Sequence, residues 1–115
     1  MKEKDLCVAF YQQIKILQQT NYFTKPFFVF HIPNEQRGSM LYTIHLKKMG
    51  LVSGVADYCV LKNGGEAMFI EFKRNEKCRL SANQKVFMNL CKDLNIKFLI
   101  TWDVDQAIDF IKENI

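Results

Sequence analysis

Two runs of β-forming residues, Val55 to Leu61 and Ala67 to Lys73, are separated by Lys62-Asn63-Gly64-Gly65-Glu66, and nothing else in the chain limits its fold as tightly. Asn and Gly tolerate the positive φ that a tight reversal needs, so the runs are expected to pair as an antiparallel hairpin. A three-residue loop at 63–65 sets Asp57 directly across from Glu71; an error of one residue in loop length moves it only to a near neighbour. Opposed residues have Cβ atoms about 5 Å apart on one face of the sheet. Glu71 and Lys73 are two apart on one strand and point the same way. The spacing therefore predicts two carboxylates and an ammonium together at one end of the hairpin.

A Glu-x-Lys pair on a strand is common and usually marks a solvated face. Here that face also carries Cys59, Leu61 and Phe69, while Tyr58, Val60, Met68, Ile70 and Phe72 fill the other. Both faces read as largely apolar, as for a strand covered on both sides. Gathering three charges on a covered hairpin costs desolvation, which points to function. Two carboxylates this close repel unless a cation lies between them. A hard divalent ion such as Mg²⁺ favours such an oxygen cage, completed by water and phosphate. Lys73, about 7 Å along the strand from the Glu71 position, would reach a water at that ion or neutralise charge on a phosphate.

The remaining elements follow from periodicity and punctuation. Leu6, Ala9, Phe10, Ile14 and Leu17 share one face of a helix over about 4–19. Residues 27–32 form a strand stopped by Pro33. A second helix is expected within 38–49, with Leu41, Ile44, His45 and Lys48 on one face and Gly50 closing it. Ser81 opens a third, with Phe87, Leu90, Cys91 and Leu94 as its buried stripe. Residues 96–102 form a strand whose last residue, Trp102, reads as packing. Asp103 caps a final helix with Val104, Ala107, Ile108 and Ile111 inward. The order α-β-α-β-β-α-β-α defines an α/β fold, a mixed sheet flanked by helices.

The chain has 115 residues and a net charge of +4, which suits one domain and permits a polyanionic partner without requiring one. The charge is concentrated after the hairpin: Arg74, Lys77, Arg79 and Lys85 follow Lys73, against the single acid Glu76. The four cysteines show no zinc-type spacing. The start Met1-Lys2-Glu3-Lys4-Asp5 does not look like a leader, and no apolar run approaches the ~20 residues that span a bilayer. A cytoplasmic protein with reduced thiols is expected.

Gly54-Val55-Ala56-Asp57, then Phe69-Ile70-Glu71-Phe72-Lys73, then Leu80-Ser81-Ala82-Asn83-Gln84 resemble the VRR-NUC branch of the PD-(D/E)xK nucleases. His31-Ile32-Pro33-Asn34 and Leu46-Lys47-Lys48-Met49-Gly50 are similar to it as well. No one motif is specific; their order and spacing are. The resemblance covers essentially 1–115 as a single nuclease domain with a restriction-endonuclease-like sheet. It departs at Ala56, where the family usually has Pro, a position that shapes the backbone and gives no side-chain ligand.

The resemblance implies Asp57, Glu71 and the backbone carbonyl of Phe72 as ligands of Mg²⁺ or Mn²⁺, Lys73 as the catalytic lysine, and Gln84 as the glutamine that completes the site. Gln84 has a second reading, as the third helical residue of a capping box opened by Ser81. Glu3 matches an acid in the first helix that would reach a metal or its waters; read from its position alone, it is first a frayed terminal residue. Arg74, Lys77, Arg79 and Lys85, with His31, Asn34 and Arg37, form the candidate nucleic-acid contacts. Stand-alone members of this branch resemble phage or mobile-element homodimers that cut branched DNA such as four-way junctions, in a bacterial or infected host cell. The expected function is thus a Mg²⁺-dependent endodeoxyribonuclease. The alternatives are a non-cleaving DNA-binding or assembly module on the same fold, and an RNA-directed or repair-associated nuclease.

Overall fold

The computed structural model describes residues 1–33 and 39–115. Its elements run α1 (Glu3–Gln19), β1 (Phe27–His31), α2 (Met40–Lys48), β2 (Tyr58–Lys62), β3 (Glu66–Phe72), α3 (Ala82–Asp93), β4 (Lys97–Thr101) and α4 (Val104–Asn114). The order is the one the sequence predicts. Asn34, Arg37 and the expected helix start at Gly38 lie outside the described residues.

The strands form one mixed sheet in the order β1-β2-β3-β4. The β1–β2 and β2–β3 pairs are antiparallel, and β3–β4 is parallel, with α3 making the crossover. Lys62 pairs with Glu66 and Tyr58 with Ile70, so the 63–65 loop sets the expected register. Gly64 and Gly65 both take positive φ in that loop. A Lys62–Glu66 ion pair of 2.9 Å flanks the turn.

One sheet face carries the core. Val29, Tyr58, Val60, Met68, Ile70 and Phe72 pack against Leu6, Phe10 and Ile14 of α1 and Ala107, Ile108 and Ile111 of α4. Phe10 is fully buried, its ring centroid 4.9 Å from Tyr58 and 5.2 Å from Phe72. Truncating such a ring costs about 3–5 kcal/mol. The Tyr58 hydroxyl donates to the Cys7 carbonyl at 3.1 Å, tying β2 to α1. With Glu3 as its first residue, α1 carries that side chain to the same end of the sheet as the hairpin acids.

The opposite face departs from expectation. Its cover among the described residues lies mainly over β3 and β4, where Phe87 of α3 meets Phe69 at 5.0 Å and Phe98 at 6.0 Å, and Cys59 of β2 beside Phe69 is buried as well. Over β1 and β2, Phe28, Phe30 and Leu61 are exposed. The reason is α2: none of its residues is buried, and its predicted inner residues Leu41, Ile44, His45 and Lys48 face solvent. Helical periodicity tells which residues share a face, not whether that face meets a partner. In α3, Cys91 is buried and Phe87 half-buried, but Leu90 and Leu94 are exposed. Phe87 and Cys91 form the row one turn apart that touches the sheet, and Leu90 and Leu94 form the neighbouring row that does not.

Several strand ends fall short of the expected ranges: β1 stops at His31, and β4 runs only Lys97–Thr101. β2 starts at Tyr58 rather than Val55, although the Ile32 N–H donates to the Asp57 carbonyl at 2.7 Å and extends the ladder one step. β3 ends at Phe72, and the Lys73 N–H continues the pairing to the Thr101 carbonyl at 2.9 Å.

Candidate active site

The hairpin register brings Asp57, Glu71 and Lys73 together where β2 begins and β3 ends. Asp57 Oδ2 accepts the Phe72 N–H at 2.7 Å, which fixes its carboxylate against the main chain of β3. Glu71 is 3% exposed and Lys73 is 9% exposed, so the pair is not a solvated surface ladder. Lys73 Nζ lies 3.4 Å from Glu71 Oε2 and 3.9 Å from Glu3 Oε1. Glu3 remains half-exposed, an acid at the rim rather than in the floor of the site.

Gln84 joins these groups. Its Nε2 donates to Glu71 Oε2 at 3.0 Å, and its Oε1 accepts from Lys73 Nζ at 2.9 Å. The same Oε1 accepts the Ser81 N–H at 2.9 Å, while Ser81 Oγ accepts the Gln84 N–H at 3.2 Å. That is a full capping box, so Gln84 caps α3 and contacts Glu71 and Lys73 at once. The helix end is held by the side chain that orients the acid and the lysine.

Gly54 sets where that helix end sits. It has φ +86°, and a Cβ there would lie 2.5 Å from the Asn83 carbonyl carbon and 2.7 Å from the Gln84 nitrogen. Only glycine lets the chain before Asp57 pass this close to the first turn of α3. The sequence shows Gly54 inside a motif; its contact with Asn83 and Gln84 needs the tertiary structure.

The electrostatics are those of crowded acids in a poorly hydrated place. Burial pushes the Glu71 carboxyl up to about 7, with the Asp57 charge adding to it and Lys73 opposing. Asp57 is also raised, by burial first, against the Phe72 N–H and the His31 and Lys73 charges. His31 is exposed at the end of β1, its ring 5.2 Å from Tyr58, and acts on the site through Asp57.

The donor set fits a hard cation. Glu71 Oε1 is buried and has no hydrogen-bond partner, whereas Glu71 Oε2 and Asp57 Oδ2 are both engaged. A buried, unpaired carboxylate oxygen beside a second acid is costly without a positive charge to face. Among the described residues, no group of three or more His, Cys, Asp or Glu side chains is placed to hold an ion. The side-chain donors are therefore two carboxylates, a set that suits Mg²⁺, which keeps several waters and takes the rest from main chain and substrate.

Arg74, Lys77, Arg79 and Lys85 are all exposed, on the loop after β3 and the first turn of α3. Trp102 does not pack as expected: it is 46% exposed at the end of β4. Its place next to β3 is legible in strand parity, since it lies two residues beyond Ile100, the register partner of Glu71. None of the four cysteines is in a disulfide. Among the described residues, no helix is long and apolar enough to cross a membrane.

No family model matches the chain, and no curated protein matches it. Two solved structures do. One, described as "VRR_NUC domain", superposes with a TM-score of 0.63 at 16% identity, covering 100% of this chain and 99% of its own. The other, described as "VRR_NUC domain protein", has a TM-score of 0.66 at 16% identity over 96% of this chain and 85% of its own. The chain has the fold of VRR_NUC domain structures from end to end, as the sequence resemblance implies.

Proposed function

We propose that this chain is a VRR-NUC nuclease, a metal-dependent endonuclease that hydrolyses DNA phosphodiester bonds and acts as a homodimer on branched DNA. The observation that carries the reading is Glu71 Oε1, a buried carboxylate oxygen left without a partner beside Asp57 while Gln84 and Lys73 occupy its twin. Asp57, Glu71 and the Phe72 carbonyl would hold Mg²⁺ or Mn²⁺, with Glu3 near enough to Lys73 to act on the same centre. When bound, such an ion supplies Lewis-acid charge for a phosphoryl oxygen and a more acidic water.

The chain's own groups account for the rest. Gln84 holds the Lys73 ammonium beside Glu71, so its charge is fixed before substrate arrives and needs no reorganisation. Lys73 would donate to a phosphate oxygen as charge builds there, or donate to the oxygen of a water and hold it in place. The Phe72 N–H fixes the direction of the Asp57 carboxylate. Arg74, Lys77, Arg79 and Lys85 would grip neighbouring phosphates, which makes binding salt-dependent. The bare apolar residues Phe28, Phe30 and Leu61 support self-association, and two symmetric sites suit two symmetric strands.

The test is cleavage of plasmid, linear duplex, flap, four-way junction and RNA substrates with Mg²⁺, beside Asp57→Ala and Lys73→Ala. Metal-dependent cutting of junctions in preference to duplex and RNA, lost in both variants, is the expected result. Binding without cutting by the native chain would leave a DNA-binding module instead.

A further inference from the structure

A recess lies on the strand next to Glu71. It is a cleft of about 430 Å³ between the loop after β3, the first half of α3 and the end of β4. Leu80, Met88, Ile100 and Trp102 line it, and Arg79 and Lys85 bring positive charge to it against one acid, Glu76. Small-molecule pockets commonly span about 300–1,000 Å³.

Its position ties it to the site. Ile100 is the register partner of Glu71, and neighbouring strands lie about 4.8 Å apart. Lys85 follows Gln84, which bonds Glu71 and Lys73. The cleft and the acids thus share the β3–β4 ladder and the first turn of α3. A strand with one phosphate at Lys73 would pass its next nucleotide over the cleft.

The lining has the chemistry of a base-stacking platform. A half-exposed indole with aliphatic neighbours suits the face of a heterocycle, and two cations beside it suit the flanking phosphates. A base stacked in a duplex offers only its edges, so it must leave the stack to enter. We propose that this cleft receives an unpaired nucleobase of the DNA strand whose phosphate lies at Glu71 and Lys73. The inference rests on the nuclease reading and deepens it: the substrate carries an unstacked nucleotide beside the cut.

Trp102 is the single tryptophan, so its emission reports on the cleft directly. The full native chain is titrated with a short oligothymidylate and with a blunt duplex of equal length, in EDTA at low salt, while anisotropy of the labelled DNA follows binding. Saturable quenching by the oligothymidylate and not by the duplex is expected. Trp102→Ala should weaken oligothymidylate binding by roughly 5- to 100-fold. Trp102→Phe should keep most of it, and both should leave duplex binding within about twofold, since phosphate contacts dominate there.

Binding without any change in emission would overturn the proposal, as would no binding of the oligothymidylate at all. Equal losses for single strand and duplex in Trp102→Ala would overturn it too, by making Trp102 structural. The two readings fail separately: a chain that cuts DNA while Trp102 stays silent removes only the cleft. Quenching without cutting under Mg²⁺ removes the nuclease and leaves a single-strand-binding cleft.

Discussion

Gln84 Nε2 donates to Glu71 Oε2 at 3.0 Å, so the first turn of one helix holds the acid at the end of a neighbouring strand. Its Oε1 serves Lys73 and the Ser81 cap in the same geometry. Gln84→Ala removes all three bonds. If the proposed metal-dependent cleavage holds, it should lower the rate about 10- to 100-fold, the usual cost of losing a group that orients a metal ligand. Loss of half the capping box should add about 1 kcal/mol of destabilisation. Single-turnover rates and thermal melts on one preparation check both; a large fall in melting temperature with an unchanged rate would confine Gln84 to capping.

Glu71 gives the metal-free protein a pH dependence with a definite sign. Its carboxyl is pushed up to about 7 from an ordinary 4.5, chiefly by burial. The folded state holds this proton more tightly than the unfolded state. The contribution to stability is fully present below about pH 4.5 and is lost as pH rises through about 7. In EDTA the melting temperature should fall by several degrees over that window. Excess Mg²⁺ should restore stability at the upper end, where both acids are ionised, and do little at the lower end. Asp57→Asn, which removes a charge that raises Glu71, should move the transition to lower pH.

Gly54→Ala should damage a residue it does not chemically resemble. Its φ of +86° is strained for alanine, at roughly 1–3 kcal/mol. The new Cβ also meets Asn83 and Gln84 backbone, which cannot rotate away. Expected are a lowered melting temperature and a cleavage defect resembling that of Gln84→Ala. Wild-type activity at a temperature where the variant is fully folded would show that the helix end need not sit where it does.

The open half of the sheet can be tested by charge. Phe28 is 60% exposed, so Phe28→Glu should change monomer stability by no more than about 0.5 kcal/mol. Sedimentation of the native chain at micromolar concentration should give a dimer, and Phe28→Glu or Leu61→Glu should shift it to monomer. A native monomer would remove self-association from the proposal and leave the catalytic groups untouched.

Much of this site was legible because it rests on local rules. The Asn63-Gly64-Gly65 bend sets a register, and register with strand parity puts Asp57, Glu71 and Lys73 at one place. Ser81 and Gln84 announce a cap three residues apart, and the direction of α3 turns that cap toward the strand end. What stayed hidden depends on contacts between distant segments. No periodicity says that α2 buries nothing, or that Phe28 and Phe30 lie bare. Nor does it say that Gly54 touches Asn83, or that Trp102 stands beside a cleft. Asn34 and Arg37 lie outside the described residues.

The groups that meet at Lys73 come from the opening turn of α1, the approach to β2, the end of β3 and the start of α3. No contiguous fragment short of Gln84 contains them all. On the proposed nuclease reading, a growing chain that has not yet released Gln84 from the ribosome could not assemble the site. Catalytic competence would arrive in a single late event, when α3 docks, and its onset during refolding would time that docking more sharply than any bulk spectroscopic signal.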